Sequence, residues 1–219
     1  MNWSNGHSMD YDIVVIGAGP GGYVCAIRAS QLGQKVAIVD KEWLGGVCLN
    51  IGCIPSKTLL KNAEIANIIR NRSKEFGFTF DNLDIDYSIA VRRSRKVSQR
   101  LTKGITHLMK KNNIDVHMGN ASIQSNNEVE ITKTNGQTAT ITAKNIVVAS
   151  GARPKTPTEF KVDNRQVITY RDAILQEQHP ESVVIIGGGA IGVEFATIWN
   201  SYGSKVTIVE MMNNILPME

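Results

Sequence analysis

From Asp12 to Ile16 the chain reads as a short strand whose positions after the aspartate are all β-branched, and the six residues that follow are GAGPGG, Gly17 to Gly22. A short apolar run closed by glycines predicts a buried strand ending in a tight turn. Between Tyr23 and Leu32 the apolar positions take helical spacing, Gly33 stops them, and Lys35 to Val39 returns to strand character. The same order recurs: strand Val183 to Ile186, GGGAIG from Gly187 to Gly192, helix Val193 to Tyr202, Gly203, and strand Lys205 to Val209. One device of strand, turn, helix and strand is used twice.

Between the copies lie a glycine- and cysteine-bearing segment (Gly45 to Lys57), a polar helix expected from about Thr58 to Lys74, and a basic amphipathic helix expected from about Ile85 to Lys111. Ile123 to Thr142 alternates with period two and is broken at Asn126-Asn127 and Asn135-Gly136, the pattern of a small antiparallel meander. A last apolar strand, Ile146 to Ala149, leads into Ser150-Gly151, and Arg153 to Pro157 reads as a connection between domains. The expected architecture is α/β. A three-layer Rossmann-like dinucleotide domain covers residues 10–152 with the meander as an insertion, and 153–219 opens a second Rossmann-like domain. Residues 1–9 carry no periodicity and are expected to be a disordered leader. One strand, helix and strand leave both faces of a sheet uncovered, so the second segment is expected to be part of a larger unit.

A length of 219 residues with 42% hydrophobic and 20% charged positions is that of a folded globular chain, which excludes the disordered, collagenous and disulfide-scaffold classes. The net charge of +4 suits phosphate-bearing ligands without requiring nucleic acid. The basic helix carries Arg92, Arg93, Arg95, Lys96 and Arg100; no aromatic residues interleave with them, and Ile89, Val97, Leu101 and Leu108 follow a helical stripe. That pattern predicts a solvated face, or one for an acidic partner, and not a nucleic-acid surface. No apolar run approaches the ~18 residues of a membrane helix, and no Lys or Arg precedes Arg28. Neither a membrane span nor a secretory leader is expected, and the expected compartment is the cytoplasm.

Each glycine motif opens a helix and is followed, at the end of the next strand, by an acid. In the first, Gly17 makes the turn, Gly19 lets a pyrophosphate approach the backbone, Pro20 and Gly21 open the helix, and Gly22 packs it against the strand. Asp40, eighteen residues beyond Gly22, is the candidate acceptor for ribose hydroxyls, with Lys41 beside it. In the second motif Gly187, Gly189 and Gly192 take those roles, Ala190 and Ile191 lie at the helix start, and Glu210 again stands eighteen residues on. Its carboxylate repels a 2′-phosphate, and Met211-Met212 follow it where an arginine would accommodate one, which favours NAD over NADP. Glycines that only make turns are the alternative, and the paired context weighs against it.

Of the three cysteines, Cys25 lies on the apolar face of the first helix without a local partner and is expected to serve packing. Cys48 and Cys53 sit in GGVCLNIGCIPSK, Gly45 to Lys57. Zinc needs about four ligands, and neither a second cysteine pair nor a nearby histidine supplies them. On an undistorted helix, residues five apart are turned by about 140° from each other. A disulfide therefore requires a bent turn, which Gly52 and Pro55 permit. A helix N-terminus and Lys57 favour thiolate, and two unreactive buried thiols are the alternative. Two dinucleotide sites and one dithiol describe a path for electrons from nicotinamide to a disulfide, with a flavin as the carrier that exchanges with both.

These residues resemble the flavoprotein disulfide reductases over essentially Tyr11 to Glu219, and GGVCLNIGCIPSK is most similar to the dihydrolipoyl dehydrogenase branch of that family. Ser56 stands where glutathione and thioredoxin reductases usually carry Lys; mercuric reductases share the Ser but usually have Val at Leu49. Lys96, Leu101, Gly104, Leu108, Lys110-Lys111, Asn112 and Gly119-Asn120-Ala121 are similar to the same branch. The resemblance implies FAD at the first site, touched by Gly46, Val47, Cys48, Lys57, Asn120, Ala121 and the strand end Ala149-Ser150-Gly151, and NAD at the second. Ser150 replaces a usual Thr there, Val47 a common Thr and Asp40 a common Glu. It further implies that Cys48 and Cys53 form a disulfide, that Cys48 exchanges with dihydrolipoamide, that Cys53 faces the flavin, and that Lys57 pairs with Glu194 near it.

Chains of this family continue through the rest of the NAD domain and an interface domain whose His-Glu pair acts as base on the partner subunit. The resemblance thus implies a portion of a longer chain, a homodimer, and a base outside this sequence. His7, His107, His117 and His179 match no such motif and are expected at the surface. The implied partners are the lipoyl domains of a 2-oxo-acid dehydrogenase or glycine cleavage complex. Another flavin disulfide or mercuric reductase, or a non-catalytic FAD-binding redox module, is the alternative.

Overall fold

Six strands make the larger sheet of the computed structural model, which describes residues 9–216; residues 1–8 of the expected leader lie outside the described residues. They are β1 (Tyr11–Ile16), β2 (Val36–Asp40), β3 (Asp115–Met118), β4 (Asn120–Ile123), β5 (Glu128–Thr132) and β6 (Thr138–Val148), in the order β3-β2-β1-β6-β5-β4. The first four in that order are parallel, and β5 and β4 continue antiparallel. Helix α1 (Pro20–Gln31) crosses over from β1 to β2 and packs on both. Val36 to Val39 are all buried, as in a parallel strand covered on two sides, whereas β5 alternates and turns only Val129 and Ile131 inward. Those two residues meet Tyr11, Val14, Ala37, Val39, Ile141 and Ala143 in one core.

The meander is not a detached insertion. Its last strand and the expected strand Ile146 to Ala149 are one eleven-residue strand, β6, whose first half pairs with β5 and whose second half pairs with β1. Lys144-Asn145 reads as a polar gap in the sequence, but both are outward positions within β6: Lys144 Nζ lies 2.7 Å from Asp12 Oδ1, and Asn145 Nδ2 donates to the Asp12 carbonyl. Strand β3, which the sequence pattern did not reveal, is an edge strand placed by its pairing with β2.

The remaining elements are α2 (Gly46–Ile51), α3 (Cys53–Arg72), a 3-10 turn (Ser73–Phe76), α4 (Tyr87–Lys111), α5 (Tyr170–Ala173), α6 (Ala190–Ser201) and the parallel pair β7 (Ser182–Ile186) and β8 (Lys205–Val209). Helix α3 starts five residues earlier than expected because Pro55 falls in its first turn, where a backbone N–H has no helical partner to lose. The buried side of α4 also differs from the expected stripe. Ala90, Val91, Ser94, Ser98, Ile105 and Met109 face inward, while Ile89 and Leu101 are exposed. Small serines allow close packing, and Ser94 satisfies its hydroxyl on the Val91 carbonyl at 2.8 Å.

Two compact units divide the chain. The first joins the residues up to Asn50 with Gln99–Arg153, and the second joins Ile51–Ser98 with the residues from Pro154 onward. The second therefore gathers more than the expected 153–219, because α3 packs along α6 and Arg70 donates to the Ser201 carbonyl at 3.2 Å. Of the histidines, His107 is exposed. His117 and His179 are half-buried, His117 against the Tyr11 hydroxyl and His179 against Ser204, so the expectation of surface histidines fails for these two. His7 lies outside the described residues. Among the described residues no helix is long and apolar enough to cross a membrane.

Truncating Ile131, which is 1% exposed, removes core volume that β-sheet neighbours do not refill. Ile131→Ala is expected to lower stability by about 2–5 kcal/mol, read as a lower denaturant midpoint at unchanged slope.

Candidate dinucleotide and dithiol sites

In the first unit β1 ends against β2: Gly17 N donates to the Val39 carbonyl at 2.7 Å. Pro20 is the first residue of α1, and no side-chain cap or first-turn acid satisfies the N–H groups of this helix start. An anionic phosphate fits such an end. Gly22 is buried, and a Cβ there would lie 1.7 Å from the Gly17 carbonyl oxygen, so the turn closes on the helix only with glycine. Gly21 faces solvent. Asp40 folds back over the turn: its Oδ2 accepts from Ala18 N at 2.7 Å, and Oδ1 accepts from Glu42 N and Trp43 N at 2.8 and 3.1 Å. Lys41 is exposed.

The same loop is the seat of α2. Gly45 N donates to the Ala18 carbonyl at 2.8 Å, and Gly46, at φ 59°, approaches Gly19 so closely that a Cβ would lie 2.5 Å from the Gly19 Cα. Val47 and Cys48 follow in the half-buried first turn. Burial, and secondly Cys48 nearby, push the Tyr23 phenol above its ordinary pKa. Asn50 braces α2, donating through Nδ2 to the carbonyls of Leu44 and Gly46 at 3.0 and 2.8 Å. The strand ends arrive at the same edge. Ala149 N donates to the Ile16 carbonyl, leading into exposed Ser150 and Gly151, and Gly119 N donates to the Asp40 carbonyl just before exposed Asn120 and half-buried Ala121. All the first-unit positions expected at this site except Lys41 thus lie on or next to one loop cluster.

The second unit repeats the turn. Gly187 N donates to the Val209 carbonyl at 2.9 Å, and Gly188 N donates to Glu210 Oε2 at 2.6 Å, the counterpart of Ala18 and Asp40. The N–H groups of Met212 and Gly188 hold the Glu210 carboxyl below the usual glutamate range, so it stays ionised. Gly189, Ala190 and Ile191 are exposed at the uncapped start of α6, and a Cβ at Gly192 would meet the Gly187 oxygen at 2.1 Å. In the same unit Cys53 is the exposed first residue of α3, after Gly52 breaks the helix at φ −130° and ψ −120°. Lys57, one turn further on the same face, forms an ion pair with Glu194 of α6. The lysine side chain is 63% exposed, so the pair adds little stability and acts by fixing where a positive charge stands. The residues that sequence reasoning missed are Asn50, Tyr23 and the Ala18 and Gly188 N–H groups. Only Asn50, polar between two cysteines, left a signal.

Residues 11–219 match the model of the pyridine nucleotide-disulphide oxidoreductases. The chain belongs to that family. It is 43% identical over its whole length to a dihydrolipoyl dehydrogenase of Chlorobaculum parvum, spanning 46% of that protein, and 46% identical over 96% of its length to one of Acholeplasma laidlawii, spanning 62%. A solved HOCl-induced flavoprotein disulfide reductase, RclA from Escherichia coli, superposes with a TM-score of 0.80 at 30% identity, over 95% of this chain and 44% of that one. The chain spans about half the length of most of the curated relatives it matches. FAD and a pyridine nucleotide are the cofactors of the family. The residues fit both: two uncapped helix starts, two turns closed by glycine, and two acids at the ends of the following strands that each accept a turn N–H.

Gly22→Ala is expected to strip bound flavin from the purified protein. Gly21→Ala, whose Cβ meets nothing closer than 3.9 Å, is expected to retain it, as read by visible absorbance per chain.

Proposed function

We propose that the chain is the cofactor- and dithiol-bearing portion of an NAD-linked dihydrolipoyl dehydrogenase, a cytoplasmic homodimer serving the lipoyl domains of a 2-oxo-acid dehydrogenase or glycine cleavage complex. The observation that carries this reading is the seat of Cys48 on α2, whose first residue touches the first glycine loop. The dihydrolipoyl dehydrogenases among its relatives support the choice of dithiol.

A thiolate of dihydrolipoamide attacks Sγ of Cys48, the Cys48–Cys53 bond breaks, and Cys53 leaves as thiolate. The second lipoyl thiolate then attacks the lipoyl sulfur bound to Cys48, which closes the cyclic disulfide and leaves the electron pair on the two cysteines. The two substrate protons go to a base and to solvent. FAD would be held by the first glycine turn, Asp40 and Gly46, and would supply two-electron redox chemistry between the dithiol and NAD. Lys57, held by Glu194, presents its charge to the same face of α3 as Cys53. Ionised Glu210 receives the adenosine ribose and repels a 2′-phosphate.

Anaerobic addition of dihydrolipoamide to the flavin-loaded full-length protein is expected to change the flavin spectrum within the mixing time. Cys53→Ser is expected to abolish that change and to lower turnover on the order of 10³-fold or more. Faster turnover with glutathione disulfide or mercuric ion would select a different reductase, and bound flavin with no turnover a redox module. Glu210→Ala is expected to narrow the preference for NAD over NADP by about tenfold, measured as the ratio of kcat/KM values.

A further inference from the structure

Helix α2 has six residues, too few to hold a helical turn in water by itself, so the place of Cys48 depends on what grips each end. The start is fixed by the approach of Gly46 to Gly19. At the far end stands Asn50, the one amide side chain of the helix. Its Nδ2 donates to the Leu44 carbonyl at 3.0 Å, in the segment before the helix, and to the Gly46 carbonyl at 2.8 Å, in the first turn. One side chain thereby ties the end of α2 to its beginning and to the connection from β2.

The acceptor end of that amide is also engaged. Thr58, Thr106 and Thr197 donate their hydroxyls to the carbonyl four residues earlier in their own helices, at 2.8, 3.1 and 2.9 Å, the usual local outlet for a helical threonine. Thr102 of α4 instead donates to Asn50 Oδ1 at 3.3 Å, 52 residues away in sequence. Both residues belong to the first unit. A hydroxyl donor on Oδ1 settles which way round the amide stands, and Nδ2 is then turned to the two carbonyls. Three bonds hold a half-buried amide in one orientation.

We propose that Asn50 is a positioning residue for the Cys48–Cys53 couple, with Thr102 as its support. By locking α2 directly after Cys48, the pair keeps the Cys48 sulfur in place when the disulfide opens and so sets the equilibrium between dithiol and disulfide. Closure within one chain is favoured in proportion to the effective concentration of one thiol at the other, which falls when the carrier of either is free to move. Loss of the lock therefore shifts the couple toward the dithiol. The inference rests on the reading of Cys48 and Cys53 as a redox pair and does not depend on dihydrolipoamide being the substrate.

The test is redox equilibration of the flavin-loaded full-length protein in mixtures of reduced and oxidised dithiothreitol. As the Cys48–Cys53 bond forms, the two protein thiols pass their electron pair and two protons to the reagent's disulfide, which opens to two thiols. Acid quench, alkylation and peptide mass then give the dithiol fraction at the two cysteines. Asn50→Leu is expected to shift the equilibrium constant about tenfold toward the dithiol, a rise of about 30 mV in potential. Thr102→Val, which leaves the amide and removes its support, is expected to shift it about threefold in the same direction. Thr102→Ser keeps the hydroxyl and is expected to leave the potential unchanged. Asn50→Leu with Thr102→Val is expected to match Asn50→Leu alone, because the two residues act through one bond. A wild-type potential in Asn50→Leu or Thr102→Val protein that retains its flavin, a Thr102→Ser shift as large as that of Thr102→Val, or shifts that add in the double variant overturn the proposal. Should Asn50→Leu not fold, the comparison of Thr102→Val with Thr102→Ser decides. A wild-type protein in which no mixture joins Cys48 to Cys53 overturns the redox-pair reading itself, whereas a wild-type couple that the variants do not move overturns only the role of Asn50.

Discussion

Between Gly46 and Gly19 there is room for hydrogens and nothing larger, since a Cβ on Gly46 would come within 2.5 Å of the Gly19 Cα. This contact, with the bond from Gly45 N to the Ala18 carbonyl, pins the start of α2 to the first dinucleotide turn. Cys48 lies two residues further on, so its place is set by steric fit between two backbones and not by a flexible side chain. Asn50 secures the far end of the short helix through the Leu44 and Gly46 carbonyls. Thr102 of α4 donates to the Asn50 Oδ1 at 3.3 Å, which ties that brace to the next layer. The proposed electron path needs this constraint, because misplacement by an ångström weakens coupling steeply.

The two dinucleotide turns solve one problem with the same bonds. In each, the residue after the first glycine donates its N–H to the acid at the end of the next strand, Ala18 to Asp40 and Gly188 to Glu210. A carboxylate oxygen that accepts one N–H retains lone pairs for a ribose hydroxyl, so the acid is positioned without being used up. The units differ in their sheets. In the first, four parallel strands and α1 cover Val14, Val15 and Val36 to Val39; in the second, β7 and β8 leave Val184, Ile186 and Val209 more than half exposed. Two strands present a face that they do not themselves cover.

Both turns, their acids and the break between the cysteines were legible in the sequence, because glycine, β-branched strands and a terminal acid at fixed spacing leave few other structures. Gly52 reads as a bend, and the chain does leave the helix there. What stayed hidden depended on partners far away in sequence. Lys144-Asn145 looks like a strand end until Asp12 is seen beside it. The inward face of α4 includes two serines, Ser94 and Ser98, that no apolar stripe marks, and β3 exists through its pairing with β2. The ion pair of Lys57 with Glu194 spans residues that periodicity does not connect; resemblance to a family named it, and the packing of α3 on α6 forms it.

The coupling of the dithiol to the nucleotide turn is tested most directly by anaerobic reductive titration of the flavin-loaded full-length protein, following the flavin spectrum against reducing equivalents. Uptake of twice the equivalents of the flavin alone is expected, with the disulfide filling alongside it, and Gly46→Ala is expected to separate the two phases. Uptake equal to the flavin alone, in protein whose thiols are oxidised at the start, would show that Cys48 and Cys53 exchange no electrons with the site and would contradict the electron path.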